Sequence, residues 1–485
     1  MASITDVIEI WVAANGSPSG NGTRANPFGT IEAAQATVRQ ILQSGSPLDK
    51  DIAVNIGGGT YTLQSTLSFT AADSGKDGHL VHYRAVNGEH PVLSGGVAVT
   101  NWSPVASPGI ALAPGVQLWQ ASVTPGTDTR QLYFDGVREL RAETNPDSAY
   151  PVGFRPTYFD KQGVSGIEYV PNGSNSANWQ DPTKWTNVGD IEAVVYDQWK
   201  MALVPLKNVL APSPSIPSVN PVNAPVVGLI QLQDPAWTNA NVFRGLPTGS
   251  TTVGSQKIDI AGTLAISDIK VGMQISGAGI LPGTTVTQVD ANAIVISQAA
   301  TATTQAGSTV ELTIANPGSL QPVMGQPGIW SFWRVNKFVN AYQFIDQPDE
   351  WYLDRSTGKL YLALPNGTNP NSHDIQLPTL KTLIQGVGTS NISFEGLKFT
   401  NATWLSPNSA DGYVSDQAGF HLTGTGHETN LIGHVQSVTR TPGNISFNDS
   451  TGITFIGNTF EHLGAAALDF SGGAQNNLIA NNVFQ

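Results

Sequence analysis

The sequence predicts an all-β protein built as a parallel β-helix, a solenoid of short stacked coils with a helix over its first coil. Three observations predict it. The first is a repeated phrase. Asn391-Ile392-Ser393-Phe394-Glu395-Gly396-Leu397-Lys398-Phe399 returns as Gly452-Ile453-Thr454-Phe455-Ile456-Gly457-Asn458-Thr459-Phe460, and more loosely as Asn477-Leu478-Ile479-Ala480-Asn481-Asn482-Val483-Phe484. Each copy alternates apolar with polar residues, the period of a strand rather than a helix. The last two closing Phe residues, Phe460 and Phe484, lie 24 positions apart, and self-similarity at such a period marks a fold that buries its apolar face only against its neighbours. The second is the Asn at the corners, Asn458, Asn481 and Asn482, a residue that tolerates left-handed backbone and can stack its amide on the next coil. The third is composition. With 51 Gly, 31 Pro, 12% charged and 40% hydrophobic residues, the 485-residue chain is turn-rich yet can fill a core.

The same composition excludes several function classes. There is no cysteine, hence no disulfide, thiolate metal site or cysteine nucleophile. A formal charge of −13 argues against nucleic acid, which needs concentrated Lys and Arg, and weakly against polyanionic substrates. No apolar run approaches the roughly 18 residues of a membrane span. The start, Met1-Ala2-Ser3-Ile4-Thr5-Asp6, lacks the basic and apolar regions of a signal peptide. Either the protein is cytosolic or its signal has been replaced by an engineered start; the Asn/Gly/Thr-rich, low-charge composition suits a secreted, extracellular bacterial protein and favours the second.

In chain order, Ile8–Ala13 reads as a strand and Asn15–Thr23 as a loop. Thr30 is the expected N-cap of an amphipathic helix whose stripe is Ile31, Ala34, Val38, Ile41 and Leu42. That helix would cover apolar side chains and unpaired strand edges at the solenoid's open end. Short strands are expected at Ile52–Ile56, Tyr61–Phe69, Leu80–Ala85 and Val92–Leu93. Gly57-Gly58-Gly59 lacks the Lys-Ser/Thr and helix of a phosphate loop, so nucleotide binding is not expected. Asp135-Gly136, set between Leu132-Tyr133-Phe134 and Val137, is a two-residue hairpin signal. Glu350–Leu362 reads as a second hairpin with its turn at Asp354-Arg355-Ser356-Thr357-Gly358.

Several of these stretches carry a family resemblance. Trp11–Ser17, Asn26–Ala34, Gly58–Leu63, Tyr83-Arg84-Ala85 and Pro91–Gly96 resemble the opening of right-handed parallel β-helix carbohydrate-active enzymes of the pectin-lyase-like superfamily. Gln131–Arg138, Arg141-Ala142-Glu143, Asn145-Pro146, Glu350–Arg355, Gly358–Tyr361 and the Phe460–Asp469 region continue the likeness. It is nearest to glycoside hydrolase family 141 and more distant from family 120, and it spans most of the chain outside roughly 246–316. It implies a right-handed solenoid and a polysaccharide or oligosaccharide substrate, and singles out no sugar.

Three regions are expected: 1–245, the N-terminal cap and first coils with a side lobe; 246–316, an inserted small all-β module; and 317–485, the continuation of the solenoid. Residues 246–316 are Thr/Val/Ala/Gly-rich with six charged residues. They hold no titratable cluster, so no chemistry is assigned to them. Six of the 11 Trp fall within 101–245. Such aromatics either stack on sugar rings or pack a side lobe.

Glycoside hydrolysis needs two carboxyl groups flanking the bond, one protonated and one ionised. From Asn401 to Gln485 there are Asp411, Asp416, Glu428, Asp449, Glu461 and Asp469, with His421, His427, His434 and His462 and a single base, Arg440. Polysaccharide lyases usually use Lys or Arg with bound cations, so an acidic, base-poor region favours hydrolysis. Glu461 and Asp469 are the candidate catalytic pair, with small residues at Gly464–Ala467 leaving room for a ligand. The alternative is that Glu461-His462 is a solvated turn and Asp469 caps the turn at Ser471-Gly472-Gly473. Trp404, Asp416, Gln417, His421 and His462 are the expected substrate contacts, because the loop Trp404–His421 interrupts the repeat and such insertions line one face. No metal-ligand motif appears and no cofactor is expected; a structural Ca2+ is left open without a motif for it. The alternatives to a hydrolase are a non-catalytic glycan-binding or adhesin-like β-helix and a polysaccharide lyase. The final repeat carries no polar cap, so further coils or a partner chain are expected at the C-terminal end.

Overall fold

The computed structural model describes residues 6–17, 19–144, 154–157, 166–169, 181–197, 200–216, 226–240, 248–261, 269, 271–315, 335–415, 418–424 and 438–485. The expected right-handed parallel β-helix solenoid is corrected by the strand pairing. The strands fall into seven separate sheets, some parallel and others antiparallel, and no closed solenoid runs through the described residues. The reason is local. The repeated phrase does make parallel strands, but between Gly96 and Pro378 the chain turns back on itself through hairpins, and hairpins pair antiparallel.

Three sheets are wholly parallel. Val7–Ser17, Asp51–Ile56, Val81–Ala85, Ser390–Glu395, Thr451–Ile456 and Leu478–Ala480 form the first. Gly59–Thr62, Pro91–Ser94, Lys398–Thr400, Thr459–Phe460 and Val483–Phe484 form the second. Leu67–Phe69, Ile384–Val387, Gly443–Asn448 and Ala466–Ser471 form the third. The stretch Tyr61–Phe69, expected as one strand, is therefore two strands in different sheets.

The register explains the repeated phrase. Phe394 lies opposite Phe455, and Phe399 opposite Phe460, which in turn faces Phe484. The matched rings stack at 4.8 Å, 5.3 Å and 4.8 Å. Each buried Phe adds roughly 1.5–3 kcal/mol to the one core that all three sheets share. The Asn side chains link neighbouring strands. Asn458 Nδ2 donates to Phe394 O at 2.9 Å, and Asn482 Nδ2 repeats this on Phe455 O, also at 2.9 Å. Asn481 takes the left-handed conformation, with φ 56°.

The helix Ile31–Leu42 packs Ile31, Ala34, Val38 and Leu42 into that core, and Thr30 Oγ1 caps it by accepting from Ala33 N at 3.3 Å. Asp135 and Gly136 both have positive φ, the geometry of a tight hairpin turn between Tyr133–Phe134 and Val137–Arg138. Glu350–Asp354 and Lys359–Pro365 form the second expected hairpin, its turn held by Asp354 Oδ1 accepting from Ser356 N at 3.0 Å. Between Thr248–Ser250 and Val310–Ala315 six strands pair only among themselves, around their own apolar cluster including Ile258, Ile294 and Leu312.

Candidate functional site

The strip Thr400–Leu405 runs beside Glu461–Ala465, tied by Glu461 N to Phe399 O at 3.1 Å and Ala402 N to His462 O at 3.2 Å. A Cβ on Gly464 would stand 2.7 Å from Thr403 C and Trp404 N. The space at Gly464, expected to admit a ligand, is therefore filled by the facing backbone.

Glu461 is buried and ion-paired with Lys398, and it accepts from Gln485 Nε2 at 2.8 Å. Burial by itself would raise its pKa, but these hydrogen bonds and the Lys398 charge outweigh it and hold the carboxyl below its ordinary range. His462 stacks on Tyr133 with ring centroids 4.1 Å apart. Burial pushes its pKa down, against the pull of Glu461.

Asp469 lies on Ala466–Ser471, in register with Ser446 and Gln385. Arg440 binds it at 2.8 Å and 3.0 Å. Arg440 in turn pairs with Phe420 on the strand carrying His421. Trp404, Tyr413 and His421 form one aromatic cluster, with ring centroids 5.4–5.5 Å apart. Among the described residues Trp404 Nε1 and His421 Nδ1 are buried without a hydrogen-bond partner. Burial lowers the His421 pKa more than the Asp411 charge raises it. Arg440 thus ties Asp469 to the strand Phe420–Leu422, whereas Trp404 and His421 meet through their rings. Glu461 and His462 follow the strand Thr459–Phe460 and lie in no strand themselves, whereas Asp469 is on Ala466–Ser471, and among the described residues no hydrogen bond or ion pair links Glu461 to Asp469. Asp416 and Gln417 lie outside the described residues, as do His427, Glu428 and His434.

An ion network, buried at Arg130 and Glu192 and partly exposed at Arg355, fixes the Trp404 loop. Asn408 accepts from Arg130 and donates to both Asp128 oxygens at 3.0 Å. Arg130 and Arg141 both bind Glu192, which they hold at a pKa of about 2 although burial pushes it up. Arg355 completes the set by bridging Asp128 and Asp190. These six groups carry three charges of each sign, so the network is neutral.

Sequence reasoning missed two features. The base-poor reading of 401–485 overlooked that Lys398 reaches Glu461 from the neighbouring strand, so each candidate carboxylate has a cation. Lys398 sits at the same place in its phrase as Thr459, the residue two before Glu461, which was the available signal. Tyr133, from a hairpin far away in sequence, was not paired with His462. Among the described residues no group of three or more His, Asp or Glu is placed to hold a metal ion.

No protein-family model matches this chain, and no curated protein does. A solved structure named "Glycoside hydrolase" matches with TM-score 0.58 and 20% identity, covering 94% of this chain and 62% of its own. The chain thus spans less than two thirds of that protein's length. A second, "The complex structure of XylC with xylose", has TM-score 0.34 and 13% identity over 94% of this chain and 40% of its own, too slight a likeness to support an argument. The finer likeness to glycoside hydrolase families 141 and 120 and to the pectin-lyase-like superfamily is not borne out by a family match. At this identity, what the chain shares with the solved glycoside hydrolase is its fold.

Proposed function

We propose that this protein is a glycoside hydrolase acting on a plant or microbial polysaccharide. The observation that carries the reading is the fold shared with a solved glycoside hydrolase over 94% of the chain. The clustered rings of Trp404, Tyr413 and His421 support it, because aromatic faces suit the C–H face of a sugar. Glu461, kept ionised by Lys398, suits the base or nucleophile role. Asp469 takes the proton-donor role, which requires Arg440 to leave it for the substrate when the sugar binds. Trp404, His421, Asp416, Gln417 and His462 are the proposed substrate contacts.

The ion pairs on both carboxylates favour a second reading, glycan binding without turnover. A panel of polysaccharides separates them. Hydrolysis predicts released reducing sugar, abolished by Glu461→Gln and by Asp469→Asn. Binding alone predicts retention on the polysaccharide, no product, and no change in affinity in either variant.

A further inference from the structure

A groove of about 620 Å³ opens among the antiparallel strands, and neither Glu461, Asp469, Trp404 nor His421 lines it. Its walls are the loop after Gly96–Ala98, the end of Val116–Ser122 and Lys359 on the adjoining strand. The lining is mostly uncharged and polar, including Thr100, Asn101, Gln120, Ser122 and Thr124. Hydroxyls and amides both donate and accept, which fits a ligand rich in hydroxyl groups. Among the described residues Lys359 is the one charged group in the lining. The absence of a carboxylate there is a local departure in a chain with 36 acidic and 23 basic residues.

The Lys359 ammonium gives one of its three N–H bonds to Ser122 Oγ at 3.0 Å, and among the described residues no carboxylate pairs with it. The remaining donors face a groove with no anion of its own. The wall is also fixed in advance. Asn371 Oδ1 accepts from Trp102 N and Asn371 Nδ2 donates to Trp102 O, both at 2.9 Å, while Trp102 Nε1 donates to Val99 O at 3.1 Å. A wall already held in place loses little entropy when a ligand arrives.

We propose that this groove binds a short oligosaccharide carrying a uronic acid, with Lys359 pairing its carboxylate and the Thr, Ser, Asn and Gln side chains reading its hydroxyls. The volume lies within the roughly 300–1,000 Å³ of small-ligand sites, enough for a few sugar units. The proposal goes beyond hydrolysis and stands without it, because the groove shares no residue with the carboxylate pair.

Calorimetric titration of the full chain tests it, using trigalacturonate and trimannuronate against cellotriose, xylotriose and mannotriose. A uronate should bind more tightly than every neutral trisaccharide, and added salt should weaken it. Lys359→Gln should weaken uronate binding about tenfold, the loss of one charge-assisted hydrogen bond, while Lys359→Arg retains it. Gln120→Ala should weaken uronate and neutral ligands alike. Glu461→Gln and Asp469→Asn should change nothing here, which separates failure of the groove from failure of the hydrolase reading. Neutral sugars binding as well as uronates, no binding of either uronate, or an unchanged affinity in Lys359→Gln would overturn the proposal.

Discussion

His82→Ala should destabilise the first parallel sheet at mildly acidic pH and do so much less at alkaline pH. His82 is 4% exposed and stands between two carboxylates. Its Nδ1 is 2.7 Å from Glu395 Oε1 and its Nε2 is 3.3 Å from Asp51 Oδ2. Ser393 Oγ also donates to Glu395, at 2.6 Å, and Leu80 N donates to Asp51 at 3.0 Å. His79 Nδ1 lies 3.0 Å from Asp51, and the Arg84 charge also favours ionised Glu395. Burial opposes the imidazolium, yet the two carboxylates outweigh it and His82 is raised above its ordinary pKa. Asp51 and Glu395 are lowered in spite of burial.

The signs define a window. A raised His82 stabilises fully below the unfolded histidine pKa of about 6.5 and loses this as pH rises through its higher folded value. The lowered carboxylates stabilise above their unfolded values, near 4, and lose this as pH falls. The cluster therefore contributes most near pH 5.5 to 6.5. Removing one partner of a buried pair costs about 3–5 kcal/mol. Because Ser393, Leu80 and His79 still hold the carboxylates, the low end, about 3 kcal/mol, is expected at pH 5.5. Hydrogen exchange of the amides in Val81–Ala85 and Ser390–Glu395 reads this locally, without assuming that the whole chain unfolds in one step. The double variant His82→Gln, Glu395→Gln should recover part of the loss. An equal loss at pH 5.5 and pH 9 would show that His82 acts by packing rather than by charge.

Burial, and then the Asp349 charge, push Glu139 up to about 7, and among the described residues its Oε2 has no partner. Because this folded pKa is raised, stability is lost as pH rises from the unfolded value toward 7. Glu139→Gln should therefore raise the melting temperature at pH 8, by up to about 3 kcal/mol of stability, and leave it unchanged at pH 4; an equal shift at both values would contradict this. Deleting Thr248–Ile314 and closing the gap with a short Gly/Ser linker should leave β-type circular dichroism intact, because those strands pair only among themselves. An insoluble product would show that the segment is integral.

What the sequence made legible was local. Thr30 as an N-cap, the Phe394–Phe455 and Phe460–Phe484 alignments and the Asp135-Gly136 turn all follow from residues within one or two repeats. The parallel strands themselves were readable from alternation, but the single solenoid inferred from them is not what forms, because the strands divide among separate sheets. Val81 pairs with Ile392 across more than three hundred intervening residues, and nothing in local periodicity says where such a chain leaves a sheet and returns. The candidate site was legible to a similar degree. Carboxylates and aromatics could be named from the sequence, whereas Lys398 on Glu461, Tyr133 on His462 and the Arg130–Glu192–Arg141 network depend on pairings between distant segments.

The most direct measurement of the hydrolase proposal is product analysis after incubation with a polysaccharide panel. Reducing sugar and ultraviolet absorbance would be followed together, for the parent protein and for Glu461→Gln and Asp469→Asn. The account predicts saturated reducing sugars from at least one polysaccharide, with no ultraviolet-absorbing product, and loss of that release in both variants. Unsaturated, absorbing product would contradict it in favour of elimination. Retention on the polysaccharide with no product of either kind would leave a glycan-binding protein and remove the catalytic roles proposed for both carboxylates.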